Sequence, residues 1–373
     1  MSRKFYLSFL FSALLAFPLH AGEWEYDASG SVTGLYGYTD ADSRHAQQNS
    51  HNNGTGDADL SVYAKYVFNN EYEAGIYADL MFGVDHELED YNQGKWGEEI
   101  NGIMDSPYGR IMLGQTWNVA AQFHGGAPSV GPLGIENSDI VDFIANPNWK
   151  RKNHKARFAT LNTTYINTDG VAPKISYISP EYYNTMLGLT YVPETYNRRG
   201  LVNKEAPYED KGGYIVSLYN SLDLDFITIN SSLGYADFID NDQEYSASLS
   251  LSRGNWTLGG GWRRTNADSK NPVNRKVSDN TPEWFDCYRD GYAWDIGLGY
   301  EFGPYKASLS YFKSKASQSD NEDEIVMFSN QYQVNKNLDV YLSAAHVDFS
   351  GANANLEESN KGYAFVTGLS LKF

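Results

Sequence analysis

In the stretch Tyr292-Ala293-Trp294-Asp295-Ile296-Gly297-Leu298-Gly299-Tyr300-Glu301-Phe302, then Gly303-Pro304, then Tyr305-Lys306-Ala307-Ser308-Leu309-Ser310-Tyr311, residues alternate with a period of two. Tyr292, Trp294, Ile296, Leu298, Tyr300 and Phe302 fall on one face, while Asp295, Gly297, Gly299 and Glu301 fall on the other. That is the pattern of a strand with one apolar and one wet face, and the Gly-Pro pair between the runs reads as a tight turn. The pattern recurs along the chain. Leu60, Val62, Ala64, Tyr66 and Phe68 oppose Asp59, Ser61, Tyr63, Lys65 and Val67; after Asn69-Asn70, Tyr72, Ala74, Ile76 and Ala78 oppose Glu73, Gly75, Tyr77 and Asp79. Trp256, Leu258 and Trp262 oppose Thr257, Gly259, Gly261 and Arg263.

Alternation alone fits any half-buried antiparallel sheet. Two features point to a membrane. Aromatic rings gather at both ends of the apolar stripes, where amphipathic side chains meet two lipid–water boundaries. The opposite face carries Ser, Gly, Asp and Lys, which suits a wet interior. Connections also alternate in length. Short turns are expected near Asn69-Asn70, Asp105-Ser106-Pro107, Tyr183-Asn184, Ser221-Leu222, Gly254-Asn255, Gly303-Pro304 and Asn335-Lys336-Asn337. Long polar connections are expected near 39–56, 83–94, 116–156, 193–212, 265–289, 314–323 and 350–361. The fold class is therefore all-β, a transmembrane antiparallel β-barrel of about sixteen strands, wide enough for an open lumen. Residues 155–171 read equally as strand or loop.

The amino terminus fixes the compartment. Arg3 and Lys4 precede an apolar run from Phe5 to Phe17, followed by Pro18 and Ala21. This is a secretory signal pattern, with cleavage expected after Ala21. Residues 1–21 are thus read as signal peptide and 22–373 as barrel in the outer membrane. The formal charge is −18, to which the signal segment contributes +2, leaving −20 on the remainder. Such a chain repels nucleic acid. Its acidity is compatible with loop-bound divalent cations bridging to lipopolysaccharide, although no stretch has the spacing of a calcium loop.

Enzyme chemistry finds little support, and the chain is read as no enzyme. No histidine pair has a metal-binding spacing, there is no Gly-x-Ser-x-Gly elbow, and Cys287, the only cysteine, lacks a neighbouring base. No cofactor is expected.

The closing strand places Tyr363, Phe365, Leu369, Leu371 and the terminal Phe373 on one face. Together with Tyr108-Gly109-Arg110-Ile111-Met112-Leu113-Gly114-Gln115 and Lys174-Ile175-Ser176-Tyr177-Ile178-Ser179-Pro180, this ending resembles the Gram-negative general porins, the sixteen-stranded trimeric class. The resemblance covers essentially the whole chain after the signal. It implies a passive pore for small hydrophilic solutes and ions, a homotrimer surrounded by outer-membrane lipid and lipopolysaccharide, and recognition of Phe373 by the barrel assembly machinery. It also implies that the loop at about 116–156 folds inward and narrows the pore. By that resemblance Glu136, Asp139 and Asp142 would form an acidic side of the constriction. Lys150, Arg151, Lys152, Lys155, Arg157 and Arg110 would supply the basic wall. The family's Gly-Arg is Gly114-Gln115 here, so one wall arginine is absent, which leans the expectation to mild cation preference. Two other readings stay open, a substrate-selective channel for solutes such as saccharides and a non-conducting structural or adhesive barrel.

Overall fold

The computed structural model describes residues 22–42, 51–69, 71–83, 99–135, 139–152, 155–158, 160–193, 212–238, 242–266, 290–317, 321–351 and 359–373. The first strands are β1 (Glu23–Ala41), β2 (Asn52–Asn69), β3 (Tyr72–Gly83), β4 (Glu99–Ser106) and β5 (Gly109–Gln115). A small hairpin follows, β6 (Trp149–Lys152) with β7 (Lys155–Phe158). The remaining strands are β8 (Pro173–Ile178), β9 (Thr185–Val192), β10 (Gly213–Leu224), β11 (Ile227–Phe238), β12 (Asp242–Arg253), β13 (Trp256–Asn266), β14 (Gly291–Phe302), β15 (Tyr305–Ala316), β16 (Glu322–Asn335), β17 (Leu338–Ser350) and β18 (Ser359–Lys372).

Each barrel strand pairs antiparallel with its neighbour in sequence, β5 pairs directly with β8, and β18 pairs back onto β1. The result is a closed barrel of sixteen strands, with β6 and β7 as a separate sheet. Closure leaves no unpaired strand edge in lipid, where each unmet backbone group would cost several kcal/mol. The chain's last residue completes the seam. Phe373 and Gly30 exchange both backbone hydrogen bonds, each at 3.0 Å.

The expected alternation places side chains as read. Ile76, Leu233, Leu249, Trp256, Leu298, Leu342 and Phe365 stand on the exposed outer face, with Leu233 at 61% exposure. An outer surface this apolar matches a lipid-facing belt. Tight turns at one end draw on left-handed backbone at Tyr183 and Asn184 and at Gly254 and Gly303. One expected turn is displaced. The chain turns at Asp225-Phe226, not Ser221-Leu222, because Leu222 and Leu224 carry the outer stripe two residues further before β10 ends. Residues 155–171 contribute no strand to the barrel; 155–158 close the small hairpin and 160–172 pair with no barrel strand.

Between β5 and β8 lies the segment 116–172, and much of it is buried against the barrel's inner face. One apolar cluster joins Leu133, Ile135, Ile140, Phe143, Ile144 and Leu161 of this segment to Phe312, Ile325, Met327, Val347, Phe349 and Val366 of β15–β18. A second joins Val119, Ala120 and Ile166 to Val192, Ile215, Ala236 and Phe238 of β9–β11. A barrel interior needs such apolar patches only where protein, and not water, fills it.

Candidate functional site

The inner segment begins with α1, the single turn of helix Val119–Phe123. Asn118 caps it: its side-chain oxygen accepts from Ala121 N at 2.9 Å, and its amide donates to Ile166 O at 2.9 Å and Asp169 Oδ1 at 2.7 Å. A capping side chain that also ties the segment's two passes together sets α1 in place. Lys174 of β8 closes this end with an ion pair to Asp169 at 2.6 Å, both side chains fully buried.

The wall is shaped to receive the segment. A Cβ on Gly188 would lie 2.7 Å from Val119 Cβ, and one on Gly297 would meet Ala127 Cβ at 3.1 Å. Close approach of this kind is possible only without a side chain. Polar latches accompany the glycines. Asp295 accepts from Ala127 N at 2.8 Å, Gly261 N at 2.6 Å and Thr164 Oγ1 at 2.6 Å. Asp323 accepts from Asn148 Nδ2 at 2.6 Å and from Thr160. Arg263 pairs with Glu244 at 2.7 Å and donates to Thr163, Asn167 and Thr168 at 2.8, 2.6 and 3.1 Å. Three buried charged groups are thereby satisfied by the segment itself, since charge without such partners would be expelled from the interior. Arg263, a wall position in the alternation, is therefore a fastening and does not face open water.

His124, next to α1, lies against Gly261 and hydrogen-bonds Thr164 Oγ1 through Nε2 at 3.0 Å. Burial, and then the nearby Arg263 charge, push its pKa down to about 4. The ring is neutral at ordinary pH.

Burial along the inner face separates two halves of the lumen. From β8 to β18 the inward Ser176, Thr190, Ser217, Ser246, Ser310, Ser329 and Ser343 are buried. On β1–β4 the inward Thr33, Thr39 and Asn101 are buried as well, while Asp27, Asp57, Asp59, Ser61, Tyr63, Asp79 and Glu99 remain half-buried or exposed. That second wall is acidic. Asp59 meets Ser31 at 3.4 Å, Asp79 meets Ser61 at 2.9 Å, and Glu99 meets Thr116 at 2.6 Å, hydroxyl contacts and not cations. Its lysine, Lys65, is held between Glu73 at 2.7 Å and Glu25 at 3.2 Å.

Arg110 sits beside the short turn at 107–108 and pairs with Asp105 at 2.6 Å, about half exposed. Asp142 ends a 3-10 turn, Asp139–Asp142, and is half-buried next to Phe143, whose ring packs on Gly37. Glu136 lies outside the described residues, as do the side chains of Asp139, Lys150, Arg151, Lys152, Lys155 and Arg157, and Cys287. Trp149–Lys152 and Lys155–Phe158 do pair as a hairpin, which brings the five basic positions into adjacent register, Lys150 opposite Arg157. Parity reads Asp59, Asp79 and Asp295 as lumen-facing lining, while Asp57, Glu99 and Asp323 carry no motif that marks them in the sequence.

A family model of the Gram-negative porins matches residues 10–352. The chain belongs to the Gram-negative porin family. As a porin it is an outer-membrane channel protein. Solved structures of similar fold include the anion-selective porin from Comamonas acidovorans, at 13% identity and a TM-score of 0.56, covering 94% of this chain and 100% of that one. The Salmonella typhi OmpF complex with daunomycin aligns at 13% identity and a TM-score of 0.61, covering 93% and 97%. A loop-deleted OmpT of Vibrio cholerae aligns at 11% identity and a TM-score of 0.54, covering 94% and 99%. By sequence, an uncharacterized protein of Rickettsia bellii is 21% identical over 362 residues, covering 79% of this porin and 81% of that protein. At these identities the structural likeness speaks for the fold.

Proposed function

We propose that this porin is a passive diffusion channel with cation preference, and that its water path runs between segment 116–172 and the acidic wall of β1–β4. The observation that carries the reading is the contrast between the two halves of the lumen. Much of the half from β8 to β18 is packed by the segment, and the half it covers only in part bears Asp27, Asp57, Asp59, Asp79 and Glu99 against Lys65, itself engaged by two carboxylates. Charges lining a narrow aqueous path act on a permeating ion at a few ångströms, well inside the Debye length of about 8 Å, so these acids outweigh charges on outer loops. Acids carried on the barrel wall itself support this reading.

Three further expectations belong to the same reading. The porin assembles as a homotrimer in contact with lipopolysaccharide, the signal segment is removed after Ala21, and Phe373 serves recognition during assembly. Its seat in the β1–β18 seam supports the last of these. The test of the channel itself is planar-bilayer recording of the purified mature protein. Ohmic openings whose conductance scales with potassium chloride concentration are expected, in steps of three for a trimer. A folded barrel that never opens would refute it.

A further inference from the structure

A cavity of about 510 Å³ lies in the lumen at the short-turn side of α1, within the range of about 300–1,000 Å³ typical of small-molecule sites. Its position follows from register: Met186 is the second residue of β9, and Asn230 and Ser250 each stand within five residues of a short turn. The rings of Phe123 and Tyr219 form one side, with centroids 5.7 Å apart and planes tilted by 42°. Asn230 Oδ1 accepts from the Tyr219 hydroxyl at 3.2 Å, which orients the amide. Its Nδ2, like the Ser250 hydroxyl, has no protein partner among the described residues. Gln122, whose amide nitrogen donates to Trp117 O at 2.7 Å, adds its side-chain oxygen as an acceptor, and Met186 adds a flexible apolar contact.

The chemistry of this lining differs from the wall across the lumen. None of its side chains is charged at neutral pH, His124 included, while β1–β3 carry the acids described above. A solute without charge gains nothing from carboxylates. It gains from an aromatic face for its C–H surface and from uncommitted amide and hydroxyl groups for its own hydroxyls. We propose that the cavity is a residence site for a neutral polyhydroxylated solute of one or two sugar rings, passing through the same pore as the ions. The inference rests on the channel reading and adds a binding step to it.

Maltose is the probe. Added to the short-turn side of a bilayer holding the intact porin, it should depress the potassium chloride current saturably. A polyethylene glycol of similar size should depress it only in proportion to concentration. Tyr219→Ala and Asn230→Ala should each raise the half-blocking concentration about tenfold, equivalent to about 1.4 kcal/mol of lost binding. Each variant is read against its own sugar-free conductance. Ser250→Ala, a minimal change, should raise it in the same direction if either larger substitution prevents folding. Maltose acting like the polymer, or blocking wild type and variants equally, would overturn the site and leave the channel reading standing. Absence of openings in every protein would overturn both.

Discussion

Lys65 carries the positive charge on the acidic wall of β1–β4. It bridges Glu73 and Glu25 on the half left open to water, and only about a quarter of its side chain is exposed. Replacing it with Met leaves the backbone pairing of β2 intact and strips the two carboxylates of their cation. Ion pairs in contact with water stabilise a fold only weakly, so folding should change little. Cation preference should increase, seen as a larger reversal potential under a salt gradient. His124 behaves differently, because its burial couples it to the segment's seat. Its pKa is pushed from 6.5 down to about 4 in the packed state, so the packed state binds fewer protons than a displaced one between those values. The stabilisation is fully present above about pH 6.5 and is lost as pH falls through about 4. Conductance recorded from pH 7 to pH 3 should turn noisy near pH 4 in the wild type, and His124→Gln should remove that step. An unchanged profile in the variant would show that other groups govern acid sensitivity.

At the scale of elements, α1 packs closely against β9 at Gly188. Gly188→Leu would thrust a side chain into Val119 and the Phe123 ring, which a Gly188 Cβ would already approach to 2.7 and 2.9 Å. Overpacking of this kind costs about 1–3 kcal/mol. The barrel's ladder does not depend on that contact, so the strain should be relieved by shifting α1 away from β9 and toward the open half. Lower single-channel conductance with more current noise is expected, together with an unchanged β-sheet spectrum. Strands were readable from sequence because period-two alternation is local: the 292–311 pattern needs no knowledge of its neighbours. The β10–β11 turn was harder, since Asp225-Phe226 contains neither Gly nor Pro and the apolar stripe runs up to it. The segment after β5 could not be read by periodicity at all. Its seat depends on glycines and acids contributed by strands up to about 170 residues away, as in the Ala127–Asp295 bond.

For the whole molecule, parity located Asp59, Asp79, Glu73 and Lys65 on the wet face, and the structure retains them there. Which part of that face stays wet is a property of the closed barrel. Only after β18 returns to β1 does segment 116–172 have one wall to cover and another to cover only in part. That is why overall charge is a poor guide: the −20 on residues 22–373 is dispersed, whereas the inward acids of β1–β4, Asp59 and Asp79 among them, sit on one wall. The central claim is that these acids, and not the loop acids or the net charge, give the porin its ion preference. The measurement that tests it most directly is the reversal potential across a potassium chloride gradient, for wild type and for Asp59→Asn combined with Asp79→Asn. The wild type should make the dilute compartment positive, and the double variant should bring the potential well toward zero with conductance still present. A dilute compartment that turns negative, or a variant indistinguishable from wild type, would contradict the account.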